Sequence, residues 1–561
     1  MAAMTSHIPY PSPATSASRL EQVFPKLTAT QMERIAAHGR RRAVAPGEIL
    51  YHAGAPIDSF YVVVSGAIEI ILTTPREAEV LVTHRAGAFT GEVGMLSGRP
   101  SLVDARVAEA GEVIEVPRER LLAIVQTDGE LSEILLRAYI LRRIELITHG
   151  HGDAVLLGSD HCAGTHRIKE FLTRNGHPYS YVDLDRDRDV QEMLDRFQIG
   201  IEDIPVVICR GVTVLRNPSN REIADCLGFN EAIDPVHLRD VVIVGAGPAG
   251  LAAAVYGASE GLDVLMLESN SPGGQAGSSS RIENYLGFPT GITGQDLAGR
   301  AYVQAQKFGA QLMIAQGATR LSCSRKPYAV EIDGGPSIPA RAVILATGAE
   351  YRRLALDNIT RYEGTGIYYG ATHLEAQSCI AEEVIVVGGG NSAGQAAVFL
   401  AQSAKHVHLC VRGSGLGDNM SRYLIRRIEE NPIITVRTRT EITALEGETQ
   451  LERVQWRGPD GTETRNVRHV FVMTGAVPAT RWLEGCLAFD EKGFIKTGSA
   501  LTPQDLATAE WPLERAPYLL ETSLPGVFAI GDVRSGSVKR VASSVGEGSI
   551  AISFVHRVLS E

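Results

Sequence analysis

The sequence predicts a multidomain chain of α+β and α/β character, on three observations. Its 561 residues, at about 150 per domain, make three or four folding units. Short alternating strands broken by glycine run from Glu48 to Val116, the pattern of a β-barrel or jelly roll. Beyond them strand alternates with helix, and a strand, glycine-rich turn and helix begins twice, at Val241 and at Val384, 143 residues apart.

Composition narrows the partners. With 44% hydrophobic and 21% charged residues, a largely disordered, collagen-like or coiled-coil chain is excluded. Glycine is in excess at 57 residues, as several close-turn loops require. The 54 basic and 65 acidic residues leave a net charge of −11, so no field draws the molecule onto nucleic acid. Seven cysteines lie no closer than 17 apart and form no CxxC, which removes the strongest signals for zinc, an iron-sulfur cluster or a local dithiol. A sparse, odd set suits a reducing cytoplasm, the expected location. Residues 1–19 are rich in Ser, Ala and Pro and read as a disordered tail rather than a signal peptide. The uncharged run Val241–Ala258 is long enough to raise a membrane span, but Gly245, Gly247, Pro248 and Gly250 in its first half fit a buried strand, turn and helix instead.

The elements follow in order. Residues 20–148 form the first domain, with strands at Glu48–Tyr51, Phe60–Val64, Ala67–Leu72 and Val113–Val116. One helical run, Arg118–Ile147, closes it, with Arg137, Arg142 and Arg143 off its apolar face. After a linker at His149–Gly152, residues 153–233 alternate: strand Ala154–Leu157, helix Thr165–Asn175, strand Tyr179–Leu184, helix Val190–Phe197, strand Val206–Cys209. That is the length and order of a small α/β redox domain. Asp234-Pro235 is a second linker.

At Val241 the chain reads strand, then Gly245-Ala-Gly247-Pro-Ala-Gly250, then helix. Gly245 permits the turn, Gly247 lets backbone approach a pyrophosphate, Gly250 lets helix pack on strand, and the helix N-terminus offers an anion site. Glu268 ends the next strand 18 residues after Gly250, placed to accept hydrogen bonds from a ribose. Both flanking strands and the acid make this a dinucleotide site rather than a merely tight turn.

Further residues carry a family resemblance. Ser271-Pro-Gly-Gly274-Gln275, Ile282-Glu-Asn284-Tyr-Leu-Gly-Phe-Pro289 and Gln304–Ala310 resemble the FAD half of low-molecular-weight thioredoxin reductases. Ala346-Thr347-Gly348 and Gly526–Asp532 are similar to that family's other flavin contacts, which implies FAD ligands at Thr347, Gly348, Gly531, Asp532, Arg540 and Val541. The similarity runs from Arg239 onward, with an insertion around Leu501–Leu513. It implies an FAD domain of residues 239–352 and 478–561, an NAD(P)H domain of residues 353–477, and a homodimer.

The second loop, Val384–Val387 then Gly388-Gly389-Gly390-Asn391-Ser392-Ala393, has alanine for the third glycine and is expected to hold NAD(P)H. The following strand ends at Arg412 rather than at an acid, favouring a cofactor with a 2′-phosphate, NADPH over NADH. The family has two adjacent arginines there and a third soon after. This chain has Gly413 beside Arg412 and Asn419 near the third place, with Arg422 as a substitute.

Where thioredoxin reductases carry a CATC dithiol, the aligned stretch is Gly370-Ala371-Thr372-His373. Without sulfur the family's internal disulfide step cannot occur there, while flavin reduction by pyridine nucleotide needs only the two cofactors in contact. His373 is a proton-transfer candidate beside the flavin or a space-filling side chain. Ser159–Thr165 resembles a glutaredoxin active-site turn that keeps its first cysteine, Cys162, and has Thr165 for the second, so Cys162 is either a single-thiol nucleophile or, the favoured reading, a vestige in a redox fold retained as a docking module; Ile204-Pro205 resembles the proline, usually cis, that faces such a turn. The first domain resembles a cyclic-nucleotide-binding module through Gly47-Glu48, Gly54, Phe60-Tyr61, Ser65-Gly66 and Phe89-Thr90-Gly91-Glu92. Its phosphate cassette departs from pattern, with Ser101 where the family has arginine and Arg99 two places early. No DNA-reading helix-turn-helix follows.

Three functions fit. The first is an FAD-dependent NAD(P)H oxidoreductase passing electrons to oxygen, a quinone or a small redox protein without an in-domain dithiol. The second is a disulfide reductase relayed through Cys162. The third is a non-enzymatic, nucleotide-responsive redox sensor. In each, the first domain is expected to act on its own chain or on a partner, with a cyclic nucleotide as effector.

Overall fold

The computed structural model describes residues 21–561 except 74–77, 92, 97, 149–153, 160–161, 186–199, 201–202, 211–212, 418–419 and 449. Two compact units divide the chain: Met1–Ser159, Phe171–Ile233 and Val303–Ala315 form one, and Asp160–Glu170, Asp234–Tyr302 and Gln316–Glu561 the other.

The first unit opens with helix α1 (Ala29–Ala36), fixed by a capping box in which Thr28 Oγ1 accepts from the Gln31 amide and the Gln31 side chain accepts from the Thr28 amide. Strands β1 (Arg40–Val44), β2 (Ile49–Tyr51), β3 (Ser59–Val63), β4 (Ala67–Thr73), β5 (Ala78–His84), β6 (Asp104–Glu109) and β7 (Gly111–Pro117) follow. They pair antiparallel as β1-β7-β3 and β2-β6-β4-β5, the two-sheet architecture expected of a jelly roll. Phe60 and Phe89, tilted against each other, both meet Tyr139 edge-on within its core.

The predicted single helix is two, α2 (Arg118–Thr127) and α3 (Gly129–Thr148). Asp128 breaks the run because its backbone turns extended (φ −108°, ψ 101°) and its carboxylate caps the Leu131 amide, a role that aspartate fills better than a helix interior. Arg142 and Arg143, expected off the apolar face, are buried instead. Their guanidiniums bond main-chain carbonyls: Arg142 those of Val23, Phe89 and Gly91, Arg143 that of Gly176.

Strands β8 (Ala154–Gly158), β9 (Tyr179–Asp183), β10 (Val206–Cys209) and β11 (Thr213–Arg216) form a sheet in the order β11-β10-β8-β9. β8 and β9 are parallel, and β10 is antiparallel to both β8 and β11. Helix α4 (Ala163–Arg174) connects β8 to β9, starting two residues before the expected Thr165, and α5 (Asn220–Leu227) follows β11. The Ile204-Pro205 peptide is cis. The helix expected at Val190–Phe197 lies outside the described residues.

In the second unit β12 (Arg239–Val244), α6 (Pro248–Ser259) and β13 (Val264–Glu268) make the strand, turn and helix expected at Val241. No helix among the described residues is long and apolar enough to cross a membrane. The turn α7 (Gly274–Gly277), α8 (Gly294–Lys307) and β14 (Gln311–Ile314) come next, residues 303–314 of them belonging to the first unit, then β15 (Ala318–Ser322), β16 (Tyr328–Ile332) and β17 (Ser337–Leu345). β17 lies parallel to β12 and antiparallel to β16.

After β18 (Ala349–Tyr351) and β19 (Ile367–Tyr368) come α9 (His373–Ser378), β20 (Glu383–Val387), α10 (Asn391–Leu400), β21 (His406–Val411), α11 (Arg422–Glu429) and β22 (Ile434–Thr438). An antiparallel β23 (Glu441–Glu446), β24 (Arg453–Gly458) and β25 (Gly461–Arg465) precedes β26 (His469–Val472) and β27 (Ala476–Pro478). The strand order β19-β26-β20-β21-β22 is wholly parallel, the second nucleotide fold.

The insertion holds α12 (Pro503–Thr508), capped by Thr502 and Asp505. It leads to Arg515, which pairs with the fully buried Glu521 at 2.7 Å. Finally β28 (Val527–Ala529) joins β17, and α13 (Val541–Ser560) packs on α6. A Cβ on Gly548 would stand 2.4 Å from the Ala249 carbonyl oxygen, so only glycine lets these helices approach so closely.

Cysteine spacing offered no local dithiol, yet Cys323 and Cys486 form a disulfide across 163 residues. Tertiary folding makes this pair, and no sequence spacing could show it.

Candidate functional site

The first nucleotide loop is a pair of glycine turns facing each other. Gly245 takes φ +104°, and a Cβ there would be 2.4 Å from the Ala346 carbonyl oxygen. Gly247 is the N-cap of α6, and the Gly274 Cα is the nearest atom to a Cβ built on it, at 3.9 Å. Gly250 has no such room, since its Cβ would lie 1.9 Å from the Gly245 carbonyl oxygen. Opposite, Gly273 and Gly274 both have positive φ, and the Gly273 amide bonds the Ala246 carbonyl at 2.7 Å. The Glu268 carboxylate, buried at the end of β13, accepts from the Ala246 and Asn270 amides at 2.8 and 2.9 Å and so ties the loop to the strand.

Thr347 and Gly348 follow β17. Thr347 Oγ1 donates to the Ala479 carbonyl at 3.1 Å, while a Cβ on Gly348 would meet nothing within 4 Å. Gln275 Nε2 donates to the Ala349 carbonyl. Gly531 packs on Ala249, and its amide donates to Glu547 at 2.7 Å; Glu547 is in turn paired with Arg534. Burial pushes the neighbouring Asp532 carboxyl up, with Lys539 opposing and Glu547 adding to the shift. Arg540 is the N-cap of α13 and Val541 its first residue. The structure therefore brings Gly245, Gly247, Gly250, Gly274, Gln275, Thr347, Gly348, Gly531 and Glu268 around the start of α6, whereas Asn284 and Arg540 are exposed. Open space at Gly247 and Gly348 beside a helix N-terminus fits a bound dinucleotide. Glu547 and Arg534 were missed by sequence reasoning because they act through a backbone amide and match no motif.

The second loop repeats the design. Gly388 has φ +146° with its Cβ position 2.4 Å from the Met473 carbonyl oxygen, Gly390 caps α10, and Ala393 is buried. Asn391 Oδ1 accepts from the Ser421 amide at 2.7 Å, so this side chain fixes the loop before α11, and Ser392 stands beside it on the first turn. Arg412 is exposed just beyond β21, and Asn419 lies outside the described residues. Arg427 on α11 pairs with Glu283 at 2.6 Å.

Around the aligned dithiol position, a Cβ on Gly370 would lie 3.7 Å from Ser278. His373 begins α9, and its side chain lies outside the described residues. Glu375 caps that helix by accepting from the Thr372 amide at 2.8 Å. Burial pushes its carboxyl up, Thr372 opposes, and Glu170 adds to the rise. Burial also raises the Cys379 thiol, to about 12, so this cysteine is no ready nucleophile. Cys162 is half-buried just before α4, and a Cβ on Gly364 would lie 3.3 Å from the Cβ of Ala163.

In the first unit Gly91 has φ +102° and is braced by Arg142, while Glu92 lies outside the described residues. Arg99, expected as the displaced phosphate ligand, stacks over Phe229 at 4.7 Å and donates to the Asn175 carbonyl. Its guanidinium has a planar aromatic partner, which an arginine two places early in the cassette readily reaches. Ser101 is buried and bonded to the Val103 backbone. Arg118 binds the Met95 and Leu96 carbonyls and pairs with Glu231 at 2.9 Å.

Comparison with known proteins agrees with this geometry. The pyridine nucleotide-disulphide oxidoreductase pattern matches residues 239–548, and the cyclic nucleotide-binding domain pattern matches residues 41–128. Thioredoxin reductase of Bacillus subtilis is 32% identical over 332 residues, covering 58% of this chain and 96% of that protein. The thioredoxin reductase of Mycolicibacterium smegmatis is 33% identical over 327 residues, 58% of this chain and 97% of its own. NADPH-dependent thioredoxin reductase 3 of Arabidopsis thaliana is 32% identical, but the match spans only 59% of that protein. The crystal structure of the T. acidophilum thioredoxin reductase superposes with a TM-score of 0.51 at 26% identity, over 58% of this chain and 99% of that one.

The chain belongs to the pyridine nucleotide-disulphide oxidoreductase family. Within it the chain is a thioredoxin reductase-like enzyme, a group that uses FAD and NADPH, joined to a cyclic nucleotide-binding domain.

Proposed function

We propose that this protein oxidises NAD(P)H through FAD and delivers the electrons to an acceptor without a dithiol in its nucleotide domains. The observation that carries this reading is the coexistence of two glycine-cradled helix N-termini with Gly370 and His373 at the place where the family has sulfur. When bound, FAD supplies hydride acceptance and onward electron transfer. The chain's residues bind and orient. Glu268 fixes the first turn and would take the ribose, with Gly247 and the α6 N-terminus at the pyrophosphate. Asp532 and Arg540 would serve the far end of FAD, Gly388 to Ala393 the second nucleotide, and Arg412 its 2′-phosphate. His373 would move a proton beside the flavin.

Anaerobic mixing with NADPH or NADH tests the reading. Bleaching of the flavin band is expected, and a flavin that stays oxidised would leave the sensor reading in its place. A screen of oxygen, quinones and small redox proteins then names the acceptor.

A second reading, disulfide reduction through Cys162, is favoured by two features. The order β11-β10-β8-β9, with parallel β8 and β9, is compatible with a thioredoxin-like domain, and Ala163 next to Cys162 lies beside Gly364 within the second unit. Cys162→Ser should then abolish disulfide reduction and spare flavin bleaching. The domain of residues 20–148 would regulate the enzyme, which titration calorimetry with cAMP and cGMP tests. A homodimer completes the proposal.

A further inference from the structure

Cys323 follows β15, and Cys486 follows the turn Arg481–Leu483; their Cα atoms lie 5.9 Å apart, and a disulfide joins them. Both are partly exposed and open to small thiols and disulfides, whereas Cys379 and Cys410 are buried, with thiols pushed up to about 12.

The segment ending at Cys486 supports the candidate flavin loop. Ala479 accepts from Thr347 Oγ1 at 3.1 Å and from Trp482 Nε1 at 3.2 Å, and its own amide donates to the Gly348 carbonyl at 3.3 Å. From there a chain of short bonds runs to the cysteine, from the Leu483 amide to the Thr480 carbonyl at 2.9 Å and from the Cys486 amide to the Leu483 carbonyl at 3.0 Å. The sulfur thus stands seven positions along the chain from Ala479, whose carbonyl holds Thr347.

We propose that Cys323 and Cys486 form a redox modification site that sets how tightly the Thr347–Gly348 loop holds FAD. The proposal rests on the assignment of that loop to the flavin. In the oxidised state the disulfide clamps the Ala479–Cys486 segment to the end of β15; in the dithiol state only hydrogen bonds hold it. Oxidation proceeds by exchange with a low-molecular-weight disulfide. One cysteine thiolate attacks that disulfide and releases one thiol, and the second cysteine attacks the mixed disulfide and releases the other. The protein loses two protons and two electrons, and the small disulfide gains them. A small dithiol reverses both steps.

The test equilibrates full-length protein with oxidised glutathione or with reduced dithiothreitol. Non-reducing peptide mass spectrometry should find a linked Cys323–Cys486 pair only in the oxidised sample. FAD release, followed by flavin fluorescence on dilution, should be severalfold faster after reduction. Cys323→Ser and Cys486→Ser should each release FAD at the reduced rate in both buffers. Failure to form the linked pair, or equal FAD release in the two wild-type states, overturns the proposal, and the wild-type comparison suffices if a variant misfolds. If equal release accompanies firm FAD retention, only the switch falls; if no FAD is retained in either state, the flavin assignment falls with it.

Discussion

Two glycines three residues apart in the first loop should fail differently when each is replaced by alanine. At Gly250 the added Cβ would stand 1.9 Å from the Gly245 carbonyl oxygen and 3.3 Å from the Ala346 Cβ. Relief requires the start of α6 to withdraw by roughly 1.5 Å, the difference from an ordinary contact. Withdrawal is blocked from behind, because Gly548 of α13 leaves no gap against Ala249. Overpacking of this kind costs about 1–3 kcal/mol, and the displaced helix start should hold FAD more weakly than in the wild type.

At Gly247 the backbone is extended (φ −71°, ψ −177°), which any residue adopts, and the nearest atom to the new Cβ is 3.9 Å away. Stability of the apoprotein should change by less than about 0.5 kcal/mol. The methyl group would instead enter the space kept open for the pyrophosphate, and FAD affinity should fall by about 10-fold or more. Thermal unfolding of flavin-stripped protein measures the first quantity and fluorescence titration with FAD the second. Gly247→Ala binding FAD like wild type would refute the placement of the pyrophosphate, and Gly250→Ala unfolding like wild type would refute the steric argument.

Arg412→Ala should raise KM for NADPH by about 10-fold or more, the worth of a charge-assisted phosphate contact, and leave NADH unaffected; equal losses for both would remove Arg412 from the 2′-phosphate. Glu521→Ala should destabilise the second unit by about 1–3 kcal/mol, read as a lower unfolding temperature, because it leaves the Tyr518 and Gly526 amides without the buried carboxylate that accepts from them, while Arg515 keeps its pairing with Glu561. Burial pushes His408 down to about 4, with Glu383 opposing and Arg437 and His406 adding to the fall. Its folded pKa lies below the unfolded one, so its share of stability is whole above about pH 6.5 and is lost as pH falls toward 4; His408→Gln should narrow the difference in unfolding temperature between pH 7 and pH 5. Glu231→Gln should leave flavin reduction by NADPH unchanged and weaken any response to cyclic nucleotide, which steady-state assays with and without cAMP measure.

Both dinucleotide loops were legible in the sequence because their chemistry is local: Gly245, Gly250 and Gly388 are needed where backbone approaches backbone, and a motif records that need. The jelly roll was legible through β2, β3, β4 and β7, since alternation is a property of each strand, whereas β1, β5 and β6 went unread. The break at Asp128 was obscured by continuous apolar spacing, because periodicity does not register a side chain that caps a new helix. Interactions over long separations were out of reach. Arg99 over Phe229, Arg118 with Glu231, Glu547 under Gly531 and the disulfide of Cys323 with Cys486 all depend on how distant segments fold together.

The regulation proposed for the cyclic nucleotide-binding domain would need a mechanical output, and the first unit holds contacts that could carry one. Its cassette cannot pair a cyclic phosphate in the usual way, since Ser101 is buried against Val103 and Arg99 lies on Phe229. The cassette is nonetheless held at both ends: Arg142 grips the Phe89 and Gly91 carbonyls, and Arg118 grips those of Met95 and Leu96. The same two helices reach the neighbouring α/β segment, through Arg143 to Gly176 and through Arg118 to Glu231. Asn230, next to Glu231, makes two reciprocal bonds with the Ile314 backbone of β14, at 2.7 and 2.9 Å. A ligand that shifts the cassette would strain these arginines, and the strain would reach the α/β segment at Asn175 and Phe229 through Arg99, at Gly176 through Arg143 and at Glu231 through Arg118. A bound anion would compete with Glu231 for Arg118, so occupancy and docking are coupled with opposite signs. Such a device does not require the high affinity of a bidentate phosphate pair. It requires only that the ligand discriminate between the docked and the released cassette.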